Sequence, residues 1–336
     1  MDPTFPIGDS TAWKQVVEQC RLAASAGCNV LLTGPTGSGK GVLARLLWSL
    51  AGDKTQPFVH LNLAAVTQGL VEARLRGSVR GAFTGAVADT KGVFEQAQGG
   101  TLFLDEVGEA SSESQVALLD ILDSGLITPV GGSSPRRVDA RVIAATNVDV
   151  GPRHSEGPLR PDLYYRLAQV HIRVPRLIER GADTLVLAKH FAGDIRLATD
   201  AVVALGVYDW PGNVRQLEHA IRWASVLAGR GPIRAWHLPD EVRPAGASRW
   251  ADLAIAIARR LGRLRREDLK AWGVAPATAS RALGEALAEG SLVRAGRGPG
   301  TFYRPSPWAA ADCDLPCPDE SDAPSANLHR ENRNGW

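Results

Sequence analysis

Long apolar runs are missing from these 336 residues: none approaches the roughly 20 that a membrane-crossing helix needs, and no basic segment leads into an apolar one at the N-terminus. No membrane association is expected, and the expected location is cytoplasmic. Cysteine is scarce. The four are Cys20 and Cys28 near the start and Cys313 and Cys317 near the end, with no Cys-x-x-Cys pair and no histidine cluster beside them. That argues against both a disulfide scaffold and a metal-binding cysteine set. Net charge is nearly absent too. Thirty-eight basic against thirty-six acidic residues leave +2, too little to imply nucleic acid by itself, so any basic surface has to be local. What is present, 44% hydrophobic and 22% charged residues, describes a soluble globular chain with length for two or three domains.

One stretch carries chemistry on its face. Gly34-Pro35-Thr36-Gly37-Ser38-Gly39-Lys40 follows the apolar run Val30-Leu31-Leu32 and precedes the helical pattern Val42-Leu43-Ala44-Arg45-Leu46-Leu47. Glycines let successive N–H groups converge on a phosphate, the helix N-terminus adds partial positive charge, and Lys40 reaches the β- and γ-phosphates of a nucleoside triphosphate. Gly41 stands where many such loops have Ser or Thr, so the hydroxyl that would hold Mg²⁺ is missing and a second acidic motif has to carry the metal. Gly99-Gly100-Thr101-Leu102-Phe103-Leu104-Asp105-Glu106 supplies one, an apolar strand ending in two carboxylates. We assign Asp105 to Mg²⁺ and Glu106 to the attacking water. The alternative, an acidic pair capping a helix, loses weight with the phosphate loop upstream.

Along the chain, Ala12 to Ala24 reads as an amphipathic helix, and no sensory domain is expected ahead of it. Val30-Leu32, Phe58-Leu61, Thr101-Leu104, Val142-Ala145 and Val170-Val174 then alternate as strands with helical segments such as Leu70–Leu75 and Ser114–Leu122. This predicts an α/β fold, a parallel sheet with helices on both faces and the nucleotide at the carboxyl ends of its strands. Gly81-Ala82-Phe83-Thr84-Gly85-Ala86 interrupts the helical region after Leu75. After Val174-Pro175 the period turns helical over Asp183–Ala192, Thr199–Leu205 and Asn213–Leu227, predicting a small helical lid.

With these residues together, the segment from about Ile7 to Leu238, roughly two-thirds of the chain, resembles the AAA+ ATPase module of the sigma-54-dependent transcriptional activators, the bacterial enhancer-binding proteins. The resemblance implies ATP as the nucleotide and a ring, expected to be a hexamer. It also implies that Gly81–Ala86 contacts the sigma factor of the RNA polymerase holoenzyme, with Thr84 the most critical residue; the competing view of this loop is a flexible turn with one exposed aromatic. Asn62 matches the family's switch asparagine, expected to partner Glu106, and Asn147 matches its γ-phosphate sensor. Arg160 and Arg166 match arginine fingers that reach the neighbouring subunit's ATP; in a monomer they would be surface ion-pair partners. Trp210 to Glu218 matches the lid signature, with Arg215 as the lid's nucleotide sensor, and Gly131 to Arg137 resembles a second loop that buttresses the first. Three positions depart from the family pattern besides Gly41, which replaces its usual Glu: Ser78-Val79 stand for His-Glu, and Ile178 lies where arginine is common.

Pro239–Ser248 reads as a linker, and residues 250–305 as three helices and a hairpin in the outline of a winged helix-turn-helix. Between Arg243 and Arg304 twelve basic residues face five acidic ones, a net +7, which suits upstream promoter DNA. Thr278, Ser280 and Arg281 are candidates for the major groove, and Arg294, Arg297 and Arg304 for phosphates. A protein-binding winged helix is the alternative. The resulting boundaries are 1–175 for the α/β part, 176–238 for the lid, 239–249 for the linker, 250–305 for the winged helix and 306–336 for a disordered tail. The function expected is ATP-driven remodelling of the closed sigma-54 promoter complex; its rival is a AAA+ remodeller or DNA-binding repressor that never meets sigma-54.

Overall fold

The computed structural model describes residues 6–51, 55–67, 69–148, 150, 158–243, 249–272, 274–296 and 301–306. The chain enters through α1 (Thr11–Ala26), capped by Ser10, whose hydroxyl accepts the Trp13 N–H, and stopped by left-handed Gly27. β1 (Val30–Thr33), α2 (Lys40–Leu50) and β2 (Phe58–Asn62) follow. An excursion comes next: α3 (Val71–Arg76), the paired short strands β3 (Gly77–Ser78) and β4 (Thr90–Lys91), and α4 (Val93–Gln96). β5 (Thr101–Asp105) leads into α5 (Ser112–Ser124), and a second small hairpin, β6 (Leu126–Ile127) with β7 (Arg136–Arg137), precedes β8 (Arg141–Thr146). α6 (Pro161–Leu167) and β9 (Val170–Arg173) complete this part.

The five long strands lie in the order β2-β5-β8-β1-β9, and every pairing is parallel. They are the five strands the sequence predicts. Alternation sorts their side chains: Leu31, Leu102, Leu104, Val142 and Ala144 pack with Leu75, Leu118, Ile121 and Leu163 on one face. Val30, Leu32, Phe103, Ile143 and Ala145 pack with Val16, Cys20, Leu43 and Leu47 on the other. Both faces of the sheet are thus covered by helices, as a parallel sheet requires. The carboxyl ends of β1, β5 and β8 deliver the phosphate loop, Asp105-Glu106 and Asn147 to one edge.

The lid is α7 (Asp183–Ala192), α8 (Thr199–Val207) and α9 (Asn213–Ala228), closed around Leu177, Leu187, Leu205, Trp210, Leu217 and Ile221. Its core continues further than the sequence suggests. Pro239 onward reads as linker, yet Asp240–Val242 forms a turn that buries Val242 among the lid residues. A single apolar side chain decided this, and one residue carries no periodicity.

The C-terminal part has the predicted elements: α10 (Trp250–Leu261), α11 (Arg266–Ala271), α12 (Pro276–Ala288) and an antiparallel pair, β10 (Leu292–Ala295) with β11 (Phe302–Pro305). It does not stand apart. Leu253, Ala254, Ile257 and Trp272 share a buried cluster with Leu185, Val202 and Val203 of the lid. The Arg260 guanidinium donates to the carbonyls of Gly206, Val207 and Tyr208 at 2.6, 2.9 and 2.8 Å, satisfying the free end of α8. The folded chain also reaches one residue past the expected end. Ser306 is buried and its N–H donates to the Ser291 carbonyl at 3.0 Å, so the predicted tail cannot start there; its remainder, with Cys313 and Cys317, lies outside the described residues.

Candidate functional site

Two glycines make the phosphate loop possible. Gly34 has φ +153°, and a Cβ there would lie 2.6 Å from the Val174 carbonyl oxygen; at Gly37, φ +75°, it would lie 2.4 Å from that of Gly212. α2 starts at Lys40 behind Gly39, which offers no capping side chain; the Val42 and Leu43 N–H groups donate to the Gly39 carbonyl at 3.0 and 3.1 Å, and the helix start faces the loop. The buried Lys40 Nζ donates to the Gly34 carbonyl at 2.8 Å. Burial pushes its pKa down, Glu106 and Asp105 oppose that, and Arg215 reinforces it. Ser38 Oγ is buried with no hydrogen-bond partner among the described residues.

A cavity of about 370 Å³ opens beside the loop. Thr36, Gly37, Gly39, Lys40 and Gly41 form one side, His60, Phe103, Asp105 and Glu106 the sheet side, and Val214, Arg215 and Glu218 the lid side. Glu106 adopts the left-handed region at φ +57°, and its Oε2 accepts the Asn147 backbone N–H at 3.1 Å. Asn147 Nδ2 in turn donates to Thr36 Oγ1 at 3.2 Å, tying the β8 end to the phosphate loop. Asp105 offers a hard oxygen donor, and at Gly41 a Cβ would meet nothing within 4 Å, so these residues fit a divalent cation such as Mg²⁺. No group of three His, Cys, Asp or Glu converges among the described residues.

A model of the sigma-54 interaction domain matches residues 6–173, and one of the AAA+ ATPase lid domain matches residues 178–252. The chain belongs to the sigma-54-dependent activator family. Curated relatives include the anaerobic nitric oxide reductase transcription regulator NorR of Salmonella paratyphi C, 43% identical over 248 residues, covering 71% of this chain and 48% of the relative. NorR of Salmonella dublin is 42% identical over 259 residues, with 72% and 51% covered. The chain thus spans about half the length of the curated relatives it matches. Among solved structures, NtrX from Brucella abortus in complex with ADP superposes with a TM-score of 0.66 at 27% identity, over 84% of this chain and 69% of that one.

Within this family member the predicted site residues fall into five places. Thr36, Gly37, Gly39, Lys40, Gly41, Asp105, Glu106 and Arg215 line the cavity, and Asn147 sits at its edge through Thr36. Asn62 departs from its expected contact: its Oδ1 accepts the Ala64 N–H at 3.0 Å, and no hydrogen bond joins it to Glu106, which Asn147 holds instead. The turn after β2 explains this, since an Asn at a helical-turn start bonds locally. Arg160 pairs with Asp162 at 2.8 Å and Arg166 with Asp123 at 2.7 Å; neither lines the cavity of its own chain.

The loop Gly81–Ala86 lies away from the cavity on the β3–β4 stem, with Phe83 and Thr84 exposed. The Gly81 N–H donates to the Ala86 carbonyl at 2.8 Å and the Ala86 N–H to that of Phe83 at 2.9 Å, so the loop is closed on itself. Two of the departures from the family pattern have structural roles here: Ser78 Oγ meets Thr90 Oγ1 at 2.8 Å across the stem, and Val79 packs beside Gly131. A Cβ at Gly131 would lie 2.8 Å from that of Ala82, so the second loop touches the first.

In the C-terminal part Arg281 and Arg294 are exposed, Thr278 is half-buried, and Ser280 Oγ donates back to the Pro276 carbonyl at 3.0 Å. Arg297 lies outside the described residues. Several of the twelve basic residues are spent on structure: Arg243 pairs with Asp240, Arg249 with Asp252 and Glu289, and Arg260 with Asp209.

Sequence reasoning missed two anchors of the site. Asn213, at φ +53°, donates from Nδ2 to the Thr36 carbonyl at 3.0 Å and accepts the Leu177 N–H at 2.9 Å, while the Val214 N–H donates to the Gly37 carbonyl at 3.0 Å. The lid therefore holds the phosphate loop by its backbone. The second is the buried pair Arg180–Asp183 at 3.0 Å. Asp183 accepts the N–H groups of Asp9 and Ser10 and the Ser10 hydroxyl, and Arg180 covers the Trp13 ring at 3.8 Å, fastening the N-terminal segment to the lid. The signal for the first was Pro211-Gly212-Asn213, a turn whose Asn tolerates positive φ.

Proposed function

We propose that the chain is an ATPase that remodels the sigma-54 RNA polymerase closed complex as a ring, expected to be a hexamer, while its C-terminal part holds upstream promoter DNA. The observation that carries this reading is the exposed, self-closed Gly81–Ala86 loop, braced by a second loop in a chain whose cavity has the residues for a nucleoside triphosphate. A nucleotide's phosphates would replace the carbonyls that Lys40 now contacts, and Gly34–Gly41 would wrap them with backbone N–H groups. Asp105 would hold Mg²⁺, which supplies charge neutralisation at the transferring phosphoryl group. Glu106 orients the attacking water, and its bond to Asn147 gives a route by which a γ-phosphate felt at Asn147 frees or restrains that carboxylate. Arg215 brings the lid to the same phosphates.

Arg160 and Arg166 lie outside their own cavity, which supports a role across a subunit boundary. Arg281, Arg294 and Arg304 are exposed cations on α12 and the hairpin, which supports a DNA-facing surface with a winged helix-turn-helix arrangement. The test is promoter opening in vitro by the purified chain with sigma-54 holoenzyme and a site-bearing template. Opening should require ATP and be absent with ADP or with a sigma-70-type holoenzyme. ATP hydrolysis with no opening on any sigma-54 template would transfer the chain to the rival class of remodellers or repressors.

A further inference from the structure

One polar ring lines the cavity without a role so far. His60 lies on β2 between Phe58 and Asn62, and its imidazole stacks on Phe103 with centroids 4.9 Å apart and planes 20° from parallel. Phe103 stacks in turn on Phe58, so the ring is fixed in orientation from one side. His60 Nε2 then lies 3.8 Å from Asp105 Oδ2, while Asp105 Oδ1 accepts the Glu106 N–H at 3.1 Å. That separation is too long for a direct hydrogen bond and short enough for one oxygen to bridge. Both side chains face the space that Gly41 leaves bare.

We propose that His60 is a positioning residue for divalent-cation binding at Asp105, holding the carboxylate and a water beside it where the phosphate loop has no hydroxyl. The inference rests on the nucleotide reading of the cavity. A metal-ligating carboxylate that has an outer partner presents a fixed lone pair; one without it swings. An imidazole beside the cation also favours Mn²⁺ over Mg²⁺ more than an oxygen-only surround does.

The test uses the full chain saturated with ADP, titrated with Mn²⁺ while free Mn²⁺ is read by electron paramagnetic resonance. His60→Phe keeps the stack on Phe103 and removes the nitrogen; it should weaken Mn²⁺ binding about 10- to 100-fold. His60→Gln restores a polar atom and should recover part of that loss. ADP affinity in EDTA should be equal in wild type and both variants, which also reports that each is folded. Unchanged Mn²⁺ binding in His60→Phe would overturn the inference, as would an equal loss of ADP in EDTA, because the ring would then be only a wall. A wild-type chain that binds no ADP at all would overturn the nucleotide reading and this inference together.

Discussion

Glu106 holds a left-handed backbone conformation that a β-carbon makes costly, by roughly 1–2 kcal/mol, and its carboxylate leans on the Asn147 N–H. Glu106→Gln keeps the shape and the acceptor oxygen, so it should retain ATP binding and lose turnover. Lys40→Ala should lose binding itself, since the only ammonium in the phosphate loop disappears. Equilibrium binding beside steady-state turnover checks both, and undiminished turnover in Glu106→Gln would remove the water-orienting assignment. A different residue governs stability. Asp183→Ala would strand the buried Arg180, whose pKa burial already lowers against the pull of Asp183. It would also free three donors of the N-terminal segment. The expected cost is about 3 kcal/mol or more, read from the denaturant midpoint. A change below 1 kcal/mol would mean that the pair is not a clamp.

At the level of elements, α8 ends against a cation from another part of the chain. Arg260 satisfies three of its last carbonyls and Asp209, so Arg260→Met should destabilise the protein by on the order of 2 kcal/mol in urea unfolding. Indifference to the change would show that solvent serves those carbonyls equally well. The elements themselves were legible in the sequence because each has a period: Val30-Leu31-Leu32 and Val142–Ala145 as buried strands, Trp250–Leu261 as a helix with an apolar face. The phosphate loop and Asp105-Glu106 were legible because backbone chemistry demands those residue types at that spacing. Contacts between distant elements were not. Nothing local in Val242, Arg260 or Asp183 announces that each bonds or packs across an element boundary, and the Asn62 side chain chose its own turn over Glu106. The net +7 of the C-terminal part overstated its free charge for the same reason, since Arg243, Arg249 and Arg260 are paired.

For the whole molecule, the sheet, lid and C-terminal part form one connected body: α9 starts on the phosphate loop, and α8 shares its other face with α10. In a ring, Arg166 of one subunit would complete the cavity of the next. An Arg166→Ala subunit mixed with a Lys40→Ala subunit should then recover part of the ATPase activity, each lending the half-site that the other lacks. Silence at every mixing ratio would end the in-trans assignment. In the proposed function the loop, not the ATPase site, meets the sigma factor. Thr84 is exposed and lies outside the cavity, so Thr84→Ala should cost on the order of half a kcal/mol at most. The decisive measurement is open-complex formation by Thr84→Ala and wild type on one sigma-54 promoter, with ATP hydrolysis recorded in the same reaction. Hydrolysis should persist and opening should be abolished; opening at the wild-type rate would contradict a sigma-factor contact at Thr84.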